Sequence, residues 1–196
     1  MKHLNIFIGS TARRWSESIS GNKLLLGNNL DKEHNESIIT PQDFPTSEIY
    51  AHSKADECWK QMSNNFSLYI ESQKQNNLDY LSKIESAVNK YNTVNIITAS
   101  GGLFGNTFTP LVLSILERKN KNVQLIIQKT NIGFLKKKEE MLINHIKQNS
   151  NVSCHFIELD DLKNKFCNKK LDVVFNVFDE LAITQINHQE NFKQSE

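Results

Sequence analysis

Thr93-Val94-Asn95-Ile96-Ile97-Thr98-Ala99-Ser100-Gly101-Gly102-Leu103-Phe104-Gly105-Asn106-Thr107-Phe108-Thr109-Pro110 is the stretch that decides the fold. It opens as a β-rich run over Thr93–Thr98 and passes into a glycine-bearing turn over Ala99–Pro110. A helix follows over Leu111–Lys119, with Leu111, Val112, Ile115 and Leu116 as its apolar positions. Glycines between a strand and a helix let backbone N–H groups converge, and the helix adds the positive end of its dipole. Such a turn is a phosphate cradle in outline. It lacks the Gly-Lys-Ser/Thr of a Walker loop and the Gly-x-Gly-x-x-Gly of a dinucleotide site, and on its own it is equally a tight turn.

Outward from this turn the strand–helix cadence continues. Asn122–Ile127 reads as a strand, Lys136–Gln148 as a helix carrying Met141, Leu142 and Ile146, Val152–Ile157 as a strand, and a helix runs from about Leu171 onward. Upstream, Leu4-Asn5-Ile6-Phe7-Ile8-Gly9-Ser10 is a strand ending in a turn, and Asn22–Gly27 is a second short strand. Residues 11–22 are polar, with Arg13, Arg14 and Trp15 as the exceptions. Asn28–Ser53 is rich in Asn, Asp, Glu, Ser and Pro, a long loop in which Ser37-Ile38-Ile39 is a strand candidate. From Ser53 to Tyr91, Trp59, Met62, Phe66, Ile70, Leu78, Leu81, Ile84 and Val88 recur at helical steps, with a break near Asn76-Asn77. Alternation of this kind predicts an α/β fold: a Rossmann-like three-layer domain around a mainly parallel sheet. Ligands then belong beyond the carboxyl ends of the strands, after Ile8, Thr98, Ile127 and Ile157.

Composition narrows the function. A length of 196 residues with 38% hydrophobic content suits one domain, here 1–196 with a long loop at 28–55 and a polar tail at 186–196. A net charge of +1 excludes a general electrostatic grip on nucleic acid. Lys136-Lys137-Lys138 reads as the solvated start of a helix. Cys58, Cys154 and Cys167 make no disulfide or zinc pattern, which places the chain in a reducing cytoplasm. There is no signal-peptide pattern and no apolar run near the roughly 18–20 residues of a membrane span. The six histidines form no ligand pair, and Asp160-Asp161 reads as a helix cap.

The turn also resembles the signature loop of the tubulin/FtsZ family, Gly-Gly-Gly-Thr-Gly-Ser/Thr-Gly followed by Pro, in Gly101-Gly102-Leu103-Phe104-Gly105-Asn106-Thr107 and Pro110. Downstream segments keep the family's order: Leu125–Lys129, Lys136-Lys137-Lys138, Phe156–Leu162, then Leu171-Asp172-Val173-Val174-Phe175-Asn176-Val177-Phe178-Asp179. The resemblance covers about residues 93–185 and is poor before them beyond Ile6–Gly9. It implies a GTP or GDP site, with Mg2+ as the accompanying ion, formed by Gly9, Ser10, Gly101, Gly102, Leu103, Phe104, Gly105 and Asn106. Phe175 would stack on the guanine, and Asp179 would accept from its N1 and N2 donors. It further implies a partner of FtsZ/tubulin type or self-association, in cell division or the cytoskeleton.

Departures accompany these matches. The first phosphate loop is Gly9-Ser10-Thr11-Ala12-Arg13-Arg14, with one glycine and two arginines that either compensate in charge or lie on the surface. The ribose loop is Thr130-Asn131-Ile132-Gly133-Phe134-Leu135, without the family's glutamate, and Leu159 replaces an asparagine. These departures lead to an expectation of weak nucleotide binding, and because the family's water-activating acidic loop lies beyond the point where this sequence stops, no autonomous GTP hydrolysis is expected. Three readings follow: a regulator or capper of FtsZ/tubulin-type filaments, a guanine-nucleotide module, or a flavodoxin-like enzyme binding a flavin or a phosphorylated small molecule.

Overall fold

The computed structural model describes residues 3–27, 38–39, 52–129, 133–158, 176–177 and 179–187. Six strands form one sheet: β1 (His3–Ile8), β2 (Asn22–Leu26), β3 (Ile38–Ile39), β4 (Thr93–Ala99), β5 (Asn122–Lys129) and β6 (Ser153–Glu158). Their spatial order is β3-β2-β1-β4-β5-β6, and every neighbouring pair is parallel. Ile6 at the centre of β1 stands opposite Leu24 on one side and Ile96 on the other.

Parallel sheets need cover on both faces, and the strands show it. Leu4, Ile6, Ile8, Val94, Ile96, Leu125 and Ile127 point to one face. Helices α3 (Phe66–Asn76), α4 (Leu78–Val88), α5 (Leu103–Arg118) and α6 (Gly133–Asn149) close it with Tyr69, Ile84, Phe108, Val112 and Leu142. Phe7, Ile97, Ile126 and Ile157 point the other way. They meet Ala12, Trp15 and Ile19 on and just after α1 (Ser10–Ser16), and Ala182 and Ile186 on a last helix, α7, over 179–187. Burying each of these large side chains contributes roughly 1.5–3 kcal/mol.

Four elements differ from expectation. α1 lies in a stretch that reads only as polar, because Ala12 and Trp15 are its buried apolar residues and one turn of spacing carries no period. The segment before Asn76 holds two helices, α2 (His52–Asn64) and α3, because Asn65 caps the second by accepting from Leu68 N–H at 3.1 Å. The break at Asn77 falls where expected.

α5 starts at Leu103 rather than Leu111 and contains Pro110. Its first half is buried on all sides, so Asn106, Thr107 and Thr109 sit inside the protein where a surface-helix pattern would place apolar residues. α6 starts at Gly133, three residues before the expected Lys136. The region from Leu171 to Phe175 lies outside the described residues.

Candidate functional site

The sheet reverses its winding between β1 and β4. From β1 the chain runs through α1 to β2 on one side; from β4 it runs through α5 to β5 on the other. A crevice opens beyond the carboxyl ends at such a switch point. Two glycine turns form it here. Gly9 holds φ at +90°, a conformation that favours glycine, and its N–H donates to Leu26 O at 2.8 Å. A Cβ placed on Gly9 would have Gly105 N as its nearest neighbour at 3.9 Å, so the two turns face one another through backbone. A Cβ on Gly102 would meet nothing within 4 Å. Ser10 stands exposed at the first position of α1. The amides opening α5 carry no intrahelical acceptors, which directs donors and positive dipole into this space.

Gly105 serves a different purpose. A Cβ there would lie 2.8 Å from Thr98 Oγ1 and 2.9 Å from Ala99 O, so its glycine lets α5 rest on β4. Thr98 Oγ1 in turn donates to Ile8 O at 3.2 Å, tying the ends of the two strands together.

A buried polar brace holds the second turn. Asn106 Oδ1 accepts from Gly101 N–H at 3.3 Å, and its Nδ2 donates to Lys138 O at 2.7 Å. Ser100 N–H donates to Gln128 O at 2.9 Å, and Ser100 Oγ lies 2.6 Å from the buried Glu139 carboxylate. The side chain of Asn106 and the amide of Gly101 are therefore engaged within the protein. Phe104 turns its ring into the core against Phe108, with centroids 4.4 Å apart, and Leu103 packs against the same cluster. Of the expected loop residues, Ser10 and Gly102 are exposed, while the Gly9 N–H is taken by Leu26 O. In the lysine run, Lys136 and Lys137 are exposed. Lys138 lies 3.8 Å over the Trp59 ring, where burial lowers its pKa and Asp56 partly offsets the shift.

Asp179, the expected base-reading residue, lies on α7 and is bound by α1. Arg14 Nε donates to Oδ2 at 3.0 Å and Nη2 to Oδ1 at 3.2 Å, while Trp15 Nε1 donates to Oδ1 at 2.7 Å. Its partners thus come from the polar segment over residues 11–22. The adjacent Arg13-Arg14-Trp15 was visible as an exception there, but nothing in the spacing pairs residue 14 with residue 179. Phe175, Asp160 and Asp161 lie outside the described residues. Among the described residues, no three His, Cys, Asp or Glu side chains gather as a metal site, and no helix is long and apolar enough to cross a membrane.

No protein-family model and no curated protein matches the sequence. Solved structures do. An FtsZ W319Y mutant from M. jannaschii superposes with a TM-score of 0.69 at 16% identity, covering 94% of this chain and 55% of that one. The empty FtsZ dimer of the same organism gives 0.62 at 16% identity, over 94% and 53%. A protofilament of TubZ from bacteriophage PhiKZ gives 0.59 at 11% identity, over 95% and 56%. The chain spans about half the length of these structures. At such identities the likeness concerns the fold, and the fold is that of the nucleotide-binding domain of tubulin/FtsZ type.

Proposed function

We propose that this chain binds guanine nucleotide weakly in the crevice between β1 and β4, and regulates or caps filaments of FtsZ/tubulin type. The observation that carries the reading is the approach of the Gly9 and Gly102–Gly105 turns at the switch point, a space walled by backbone. The phosphate end of the site fits the ligand. Backbone N–H groups at Ser10, Gly102 and Leu103 and the positive end of α5 supply what an anion needs. No cluster of three ligand side chains is present among the described residues, so a Mg2+ ion would be held chiefly by the phosphates and water.

The base end fits less freely, since Asp179 already has three N–H donors. Asn106 and Gly101, which would otherwise offer polar groups, are bonded to each other. A subunit with a filament-type fold and a restrained nucleotide site suits a partner that joins a polymer without cycling through nucleotide states.

Sedimentation tests the regulatory part. FtsZ assembled with GTP is pelleted with increasing amounts of this chain, and electron microscopy measures filament length. Co-pelleting with shortened filaments at substoichiometric ratio is expected. Unchanged length and an empty pellet would remove the regulatory reading. Calorimetry with GTP, GDP and ATP tests the nucleotide part separately.

A further inference from the structure

The contact between α1 and α7 has two unequal halves. Trp15 is fully buried among Phe7, Ile97 and Ile126, and its indole N–H fixes one oxygen of Asp179 at 2.7 Å. This half cannot leave without opening the core. Arg14 is the mobile half: its side chain is 53% exposed against 22% for Asp179. An exposed ion pair holds weakly because water competes for both charges.

Chemistry gives the second half a meaning. Arg14 presents Nε–H and Nη2–H as a planar fork across both carboxylate oxygens. The edge of a guanine base carries the same unit, since N1–H, C2 and N2–H form a guanidine with two parallel donors. Adenine has no such fork. A carboxylate that suits one suits the other, and it cannot face both at once through the same lone pairs.

We infer that Arg14 is an internal substitute for a guanine edge: it fills the base-reading carboxylate of Asp179, and a guanine nucleotide gains that carboxylate only by displacing it. Trp15 keeps the carboxylate aimed throughout, because Oδ1 has a second lone pair once Arg14 leaves. The inference rests on the guanine-nucleotide reading of the crevice given above. Apparent affinity is then the intrinsic affinity reduced by the fraction of time Arg14 stands aside. Base selectivity is masked in the same proportion, while attraction for the phosphates is not.

The test is calorimetric titration of the full chain with GDP and with ADP, for the unaltered protein, Arg14→Ala, Arg14→Lys and the double variant Arg14→Ala with Asp179→Asn. Arg14→Ala is expected to bind GDP up to about fivefold more tightly, as displacement of a weakly held competitor allows, with ADP unchanged. The added Asp179→Asn change removes the gain. Arg14→Lys keeps the charge without the fork and gains on GDP as well, which preserves the test should Arg14→Ala unfold. Equal or weaker GDP binding by both Arg14 variants, alongside measurable GDP binding by the unaltered chain, would overturn the inference and leave the nucleotide reading standing. Absence of GDP binding in every variant at millimolar nucleotide would overturn both.

Discussion

Replacing Gly105 with Ala is the most direct probe of how the glycine turn before α5 is built. The added Cβ would lie 2.8 Å from Thr98 Oγ1 and 2.9 Å from Ala99 O, about half an ångström inside ordinary contact at 3.4 Å. Neither neighbour can swing away. Ala99 O belongs to the backbone at the end of β4, and Thr98 Oγ1 is held to Ile8 O at 3.2 Å. The helix must therefore lift from the strand, and overpacking of this kind costs about 1–3 kcal/mol. Alanine returns up to about 1 kcal/mol through helix propensity, less in a first turn, which leaves a net loss of about 1–2 kcal/mol. For a domain of this size each kcal/mol moves Tm by about 2–4 °C, so a fall of about 2–8 °C is expected in thermal unfolding followed by circular dichroism. Gly102→Ala is the matched control: its φ is −85° and a Cβ there meets nothing within 4 Å, so the change costs under about 1 kcal/mol. A Gly105→Ala protein that melts with the parent, or a Gly102→Ala protein that falls further, would refute the close seating of α5 on β4.

Asn106→Ala leaves the Gly101 amide and the Lys138 carbonyl without their partner, and a loss of about 1–3 kcal/mol is expected in guanidinium unfolding. Tyr69→Phe strands the buried Thr107 hydroxyl, whose oxygen lies 2.9 Å from the tyrosine oxygen, and costs about 1–2 kcal/mol. Adding Thr107→Val should cost less than the sum of the two single changes, as a double-mutant cycle would record. His145 lies beside Phe66 and within 3.4 Å of Ser67 Oγ and Asn149 Nδ2, and burial pushes its imidazole below the ordinary value of 6.5. The neutral ring is thus favoured in the folded state. The stability this gives is complete above pH 6.5 and is lost as the pH falls through the lowered folded-state value. Proton NMR should place the folded midpoint below 6.5, and His145→Gln should flatten the acid side of the stability curve.

Much of the sheet was legible because parallel strands buried on both faces read as plain apolar runs. Ile96-Ile97 and Leu125-Ile126-Ile127 send neighbours to opposite cores, so neither can be polar. What failed was the reading of buried polar residues. Asn106, Thr107 and Thr109 look like loop chemistry in sequence, yet they occupy the first half of α5, where Asn106 and Thr107 are matched by Lys138, Gly101 and Tyr69. Pro110 strengthened the error, since a proline within a pattern ordinarily marks a helix boundary. α1 was invisible for the opposite reason. Seven residues with two buried apolar side chains, Ala12 and Trp15, offer too little period to detect.

The same distinction governs the site. A residue type that suits a ligand also suits the protein's own unsatisfied groups, and local spacing cannot say which will claim it. Gly101 and Asn106 claim one another because the turn before α5 leaves an amide pointing at the first turn of that helix. Asp179 is claimed from 165 residues away, by a helix whose existence spacing did not reveal. The two cases differ in what can be undone. The Asn106 brace is buried, so replacing it with a ligand would open a gap in the core. The Arg14–Asp179 pair is solvent-exposed on the Arg14 side, so it can part without opening the core. On the proposed reading the two ends of the site rest on separate parts of this fold: the phosphate end on backbone at Ser10, Gly102 and Leu103, and the base end on whether Arg14 yields.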